Sequence, residues 1–235
     1  MIIAATSDIH LPNNYQDFVM AVDRMRKKPD IFLVAGDVVD RGEVNEYDKF
    51  YNIIFGKFSC PIFSCFGNGE FHQMQDDLRK NYRDIRFLED EAVSFTVGAG
   101  KVGIFGTTGS LDVPTPWQSA NIPHIEDVYK RRVFEADREL SIMDAGFKIL
   151  LTHYAPTYKT LEGENPKYFP SMGSSAYERV ILDRRPSIVV HGHSHRGLRQ
   201  AWLETVPIFN VSFPLNKEIV MIDTDKLRPG LSRFV

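Results

Sequence analysis

The feature that most constrains this chain recurs in its first third: a short unbroken apolar run, a polar loop, then an amphipathic stretch. "IIAAT" (2–6) exits into "SDIHLPNN", "IFLVAG" (31–36) into "DVVDRG", and "PIFSCF" (61–66) into "GNGEFH". Such runs read as buried strands. The stretches between them carry helical spacing. Phe18, Val22 and Met25 share a face in a helix expected over 15–28, with Pro29 ending it; Tyr47, Phe50, Tyr51 and Ile54 do so over 43–58. Strand–loop–helix units in series imply a parallel sheet with right-handed crossovers. Ligands of such sheets bind beyond the carboxyl ends of the strands, where all three polar loops sit.

The pattern then changes. "AVSFTV" and "KVGIFGTT" (92–97, 101–108) form a hairpin across Gly98, Ala99 and Gly100. After a Pro-rich loop, a helix is expected over 125–144 and a strand over 147–152, leading into "HYAPT". Residues 157–172 are rich in Pro, Gly and polar groups, a length at which a loop is usually functional or disordered. A helix over 174–184 leads to strand 187–190 and the loop "HGHSHRG"; the short strands "LRQAWLE", "VPIFNV" and "EIVMID" close the chain. Parallel units first and hairpin-like strands later predict two packed sheets with helices outside. The 235 residues suit one domain over 1–235, without repeat or linker.

The formal net charge of -3 gives no global basic footprint for nucleic acid or an anionic membrane. Cys60 and Cys65 fit neither a redox nor a zinc spacing and read as reduced thiols. The N-terminal stretch has no basic region and too short an apolar run for a signal peptide. No run is long enough to span a bilayer. A cytoplasmic protein is expected.

The polar residues at the strand exits form one constellation: Asp8 and His10, Asp37 and Asp40, Asn68, His153, then His191, His193 and His195. Five of the seven histidines directly follow an expected strand. Carboxylate, imidazole and amide oxygen without thiolate suit borderline divalent ions such as Mn²⁺, Fe²⁺ and Zn²⁺. The donors outnumber what one tetrahedral ion can use, whereas two ions bridged by a carboxylate use them well.

In order, D-x-H (Asp8, His10), G-D-x-x-D-R-G (Gly36 to Gly42), G-N (Gly67, Asn68), T-H-Y (Thr152 to Tyr154) and G-H-S-H (Gly192 to His195) resemble the calcineurin-like metallophosphoesterase superfamily. The resemblance implies a four-layer αββα sandwich with two central mixed β-sheets and a dimetal site at the strand-end loops. It assigns Asp8, His10 and His195 to one metal and Asn68, His153 and His193 to the other, with Asp37 bridging. It implies hydrolysis of a phosphomonoester or phosphodiester by in-line attack of a metal-bridging hydroxide, with a small phosphoester as substrate. Arg41 matches the family's DRG arginine, a phosphate clamp in its protein-phosphatase branch; Arg196 is a second candidate, and Lys159 in the 157–172 loop a third substrate contact. His191 is read as support for its neighbours or as packing.

One position departs from the family. Where many members carry histidine after the Asn, as the acid oriented by the aspartate matching Asp40, this chain has Gly69 followed by Glu70. Three readings stay open: His72 replaces that acid, water or substrate supplies the proton, or the protein has lost efficient catalysis and serves as a scaffold or phospholigand binder. A nuclease resembling the family's DNA-repair branch is a further alternative, disfavoured by chain length and charge.

Overall fold

The computed structural model describes residues 1–227; the last eight residues of the single-domain expectation, 228–235, lie outside the described residues. In chain order the elements are β1 (Ile2–Thr6), α1 (Tyr15–Asp23), β2 (Ile31–Ala35), α2 (Tyr47–Ile54), β3 (Ile62–Cys65), α3 (His72–Asn81) and β4 (Ile85–Leu88). There follow β5 (Glu91–Val97), β6 (Gly100–Thr107), α4 (Pro116–Asn121), α5 (Ile125–Ile142), β7 (Phe147–Thr152), α6 (Ala176–Arg184) and β8 (Ile188–His191). The chain continues through β9 (Gln200–Leu203), β10 (Val206–Asn210), α7 (Phe213–Asn216) and β11 (Val220–Asp223).

Two mixed sheets result. One has the order β11-β1-β2-β3-β4, parallel except for antiparallel β11; the other, β5-β6-β7-β8-β10-β9, is parallel in its four central strands with antiparallel edges. Strand alternation builds three apolar layers between four structural ones. Ile3, Leu33, Phe63, Ile104, Leu151 and Val190 fill the space between the sheets. Ala4, Phe32 and Val34 face the other way, onto Phe18, Phe50 and Leu78 of α1–α3. Across the molecule, Phe105, Leu150 and Val189 pack on Leu140 and Tyr177 of α5 and α6. Burial on both faces is why β1 and β2 read as apolar runs. The expected αββα sandwich is the observed one.

The differences from the expected elements are local. Helix α1 stops at Asp23 rather than 28, because Arg24, Arg26, Lys27 and Lys28 offer little to bury and Pro29 blocks continuation. The helix expected over 43–58 begins as a 3₁₀ turn, Val44–Glu46, and ends at Ile54 before Gly56 at φ +74°. Strand β4 was not anticipated: four residues with exposed Arg86 inside carry too little periodicity, and pairing with β3 creates it. The 157–172 stretch is folded, with 3₁₀ turns at Tyr158–Leu161 and Pro166–Ser171. Among the described residues no helix is long and apolar enough to cross a membrane, and both cysteines are free.

Candidate metal centre

The parallel strands β1, β2 and β3 of one sheet and β7 and β8 of the other end on the same side, and their exit loops meet. The loops are laced by backbone bonds: Asp8 N–H to Gly36 O (2.9 Å), His10 N–H to Asp37 O (3.1 Å) and Gly192 N–H to His153 O (3.1 Å). Asp8, His10, Asp37 and His193 all have left-handed φ, at 54°, 49°, 53° and 68°. Asp and His tolerate that region better than most residues, but it remains strained. It turns the chain sharply off each strand and aims the side chains into the shared cleft.

Each aspartate commits one oxygen to fixed donors and presents the other. Asp8 Oδ2 accepts from Ser7 Oγ (2.5 Å) and His193 N–H (2.8 Å). Its Oδ1 lies 3.3 Å from His195 Nε2 and 3.9 Å from His10 Nε2. Asp37 Oδ1 accepts the Gly69 N–H at 2.6 Å, while Oδ2 lies 3.9 Å from His10 Nε2 and 3.6 Å from His153 Nε2. His10 Nε2 and His195 Nε2 are 3.4 Å apart, and His153 Nε2 is 3.1 Å from Asn68 Oδ1. The His193 ring stands edge-on to His153, centroids 5.0 Å apart, and packs against Tyr154 at 4.9 Å.

This donor set fits divalent ions. His153 Nδ1 donates to the Ala35 carbonyl at 2.9 Å, so the neutral ring turns a bare Nε2 lone pair toward Asn68 Oδ1. Two lone-pair atoms at that separation are stabilised by a cation between them. Asp8, His10 and His195, and likewise Asp8, Asp37 and His153, present donor atoms within 4.8 Å of one another. Burial holds the His153 and His10 imidazoles below their usual pKa and pushes His193 down to about 3, which keeps these donors neutral. His195 moves the other way: burial lowers it, but its hydrogen bond to Asp8 and the charges of Asp8 and Glu164 together outweigh this. Burial pushes the Asp8 carboxyl up, yet the His195 hydrogen bond and the His153 imidazole hold it below the usual range. Asp37 sits well above that range through burial and the nearby carboxylates Glu70 and Asp8. Three carboxylates exposed by 3 % or less converge here, an arrangement a bound cation relieves.

Glu70 adds a tie between the loops that no motif marks. Oε2 accepts the N–H groups of Asp37 (2.9 Å) and Gly67 (2.8 Å), and Oε1 that of Val38 (2.6 Å). A buried side chain thus ties the Asp37 loop to the Asn68 loop.

The remaining expected site residues are placed less centrally. A Cβ at Gly69 would lie 2.6 Å from the Val39 carbonyl oxygen, so the present backbone excludes any larger residue there. Asp40, half-buried, receives the Asn13 amide at 3.4 Å. His72 is exposed on the first turn of α3, 3.3 Å from Gln75 Oε1. Arg41 and Arg196 are exposed on the two loops that carry Asp37 and His195. Lys159 reaches the Trp202 carbonyl at 3.4 Å, at the end of β9. His191 is fully buried, with Nδ1 on the Gly192 carbonyl at 2.7 Å.

The profile of the calcineurin-like phosphoesterase family matches residues 1–197. The chain belongs to the calcineurin-like phosphoesterases. No curated protein matches it. Among solved structures, this phosphoesterase is similar in fold to a phosphopantetheinyl hydrolase of Mycobacterium tuberculosis: TM-score 0.67, 17% identity, 89% of this chain and 88% of that one. It is also similar to a putative 5'-nucleotidase of Staphylococcus aureus, with TM-score 0.56 and 16% identity over 89% of this chain but 48% of that one. A third similar fold is that of GAP50, described as the anchor in the inner membrane complex of Plasmodium: TM-score 0.58, 14% identity, 91% and 72% coverage.

Proposed function

We propose that this calcineurin-like phosphoesterase is a dimetal hydrolase of a small phosphomonoester or phosphodiester, folded as one domain over 1–235 and working in the cytoplasm. The observation that carries the reading is the position of Asp37 Oδ2, between His10 Nε2 at 3.9 Å and His153 Nε2 at 3.6 Å, one oxygen facing two donor sets. Asp8, His10 and His195 would hold one divalent ion, and Asn68, His153 and His193 the other; Mn²⁺, Fe²⁺ or Zn²⁺ suits these donors. When bound, such ions supply a water acidic enough to ionise near neutral pH and offset charge at phosphorus.

The chain's own residues set the geometry. Backbone N–H groups pin one oxygen of Asp8 and one of Asp37, which orients the other toward the cleft. Arg41 and Arg196, exposed on the ligand loops, would meet phosphate oxygens. Position 69 supplies no proton. With His72 exposed and turned to Gln75, solvent or the substrate itself is the favoured donor to the leaving group. The two unpaired thiols suit a reducing compartment.

The test is hydrolysis of a bis-aryl phosphodiester and an aryl phosphomonoester by Mn²⁺-loaded protein. Asp37→Ala is expected to lower kcat/KM by about 10³-fold or more, the loss of ~4 kcal/mol of transition-state stabilisation. Metal-loaded protein inert toward both substrate classes would replace this reading with the scaffold alternative.

A further inference from the structure

The segment 157–173 packs against the loop that carries His195, and one of its side chains grips that loop on both sides of the imidazole. His195 lies between Ser194 and Arg196, and both neighbours are held. On the sheet side, Asn210 Nδ2 donates to the Ser194 carbonyl at 2.8 Å. On the opposite side, Glu164 Oε1 accepts the Arg196 N–H at 2.8 Å and the Ser194 hydroxyl at 3.2 Å. A single carboxylate oxygen thus grips the chain immediately before and after the His195 imidazole.

The approach is close and built in. Gly163 has φ +110°, and a Cβ there would overlap the Arg196 carbonyl oxygen. Leu198 N–H donates to the Thr160 carbonyl at 3.0 Å, and a Cβ on Gly197 would overlap that same oxygen. Both ends of the segment are tied elsewhere: the Tyr158 hydroxyl to Asp112 Oδ2 (2.6 Å) at its start, and Val113 N–H to Pro170 O (2.8 Å) and Asp112 N–H to Gly173 O (3.0 Å) at its end. The segment is therefore a strap anchored at both ends, with Glu164 at its contact with the donor loop. Glu164 is only half-buried. Once it is truncated, water can reach the Arg196 N–H, so the cost falls on the geometry of the turn more than on folding.

We infer that Glu164 is a positioning residue, which fixes the turn carrying His195 and so sets the affinity of the ion that His195 helps to hold. This rests on the reading of the cluster as a two-ion centre. The second donor set has ties of its own: the Ala35 carbonyl orients His153, and Asp8 Oδ2 accepts the N–H of His193 at 2.8 Å. Residues that orient metal-binding groups typically change affinity by about 10–100-fold when removed.

The experiment is calorimetric titration of chelator-stripped full-length protein with Mn²⁺, comparing wild type, Glu164→Ala, Glu164→Gln and His195→Ala. The expected result is that Glu164→Ala weakens by about tenfold or more the same binding step that His195→Ala removes, and leaves the other within about twofold. Glu164→Gln, whose amide oxygen still accepts from Arg196 N–H, should keep both steps within about threefold of wild type. The inference is overturned if Glu164→Ala leaves both steps unchanged, weakens both alike, or behaves as Glu164→Gln does. Wild-type protein that takes up no Mn²⁺ overturns the two-ion reading and this inference with it; two wild-type steps that Glu164→Ala does not move overturn this inference alone.

Discussion

The donors from the five-stranded sheet (Asp8, His10, Asp37 and Asn68) and those from the six-stranded sheet (His153, His193 and His195) are held by different kinds of tie. In the first group the tie is inside the protein. Glu70, 3 % exposed, satisfies backbone N–H groups of both the Asp37 and the Asn68 loops, and glycines at 67 and 69 let these loops approach Asp37 Oδ1. In the second group the tie to His195 comes from a half-buried glutamate on a strap, while β7 and the Ala35 carbonyl place His153. A carboxylate that buried belongs to the folded core, because losing it strands donors that water cannot reach. One at the surface can be lost with little harm to the fold and still disturb the site.

The largest expected effect breaks this contrast if it is wrong. Glu70→Ala should destabilise the metal-free protein by about 3 kcal/mol, since it strands several buried N–H groups, whereas Glu164→Ala should cost under ~1 kcal/mol. Urea denaturation in the presence of chelator measures both. Equal costs would erase the distinction between the two ties.

Metal removal comes next. Divalent ion at a hundred times its Kd adds about 2.7 kcal/mol to the folded state. For a chain of this size that raises Tm by about 5–10 °C, read by scanning calorimetry with Mn²⁺ against chelator. A Tm indifferent to every divalent ion would mean that neither donor group binds one.

Gly69→Ala probes the closeness of the first group's loops. The added Cβ meets the Val39 carbonyl oxygen at 2.6 Å, which should cost about 1–3 kcal/mol. Because Asp37 Oδ1 accepts the Gly69 N–H, Mn²⁺ affinity should fall as well. A variant with wild-type stability and metal content would show that the loop yields easily.

The smallest effect concerns the leaving group. His72→Ala should leave turnover of aryl esters within about threefold, for good and poor leaving groups alike, given that His72 is exposed and bonded to Gln75. A selective loss on the poor leaving group would instead make His72 the proton donor.

The gathering of these polar residues in one cleft was legible in the sequence. Asp8, Asp37, Asn68, His153 and the His193–His195 pair each follow an apolar run, and parallel strands must end together, so their convergence follows from topology. Strand β4 was not legible, because Ile85–Leu88 becomes a strand only by pairing with β3. Helix α1 was overextended, because Met25 continued the apolar spacing into a run of charges with nothing to cover.

What the sequence by itself determined is the order of the layers and which candidate donors gather at the strand exits: buried strands demand largely apolar runs, and carboxylates and imidazoles are chemically conspicuous when they cluster there. What only the tertiary structure decided is how those donors are held. Glu70 and Glu164 act by accepting backbone N–H groups from loops that include residues about thirty positions away in the chain. A backbone N–H is present at nearly every residue, so a side chain that binds one leaves no pattern in the sequence; only the folded chain shows which donors it meets.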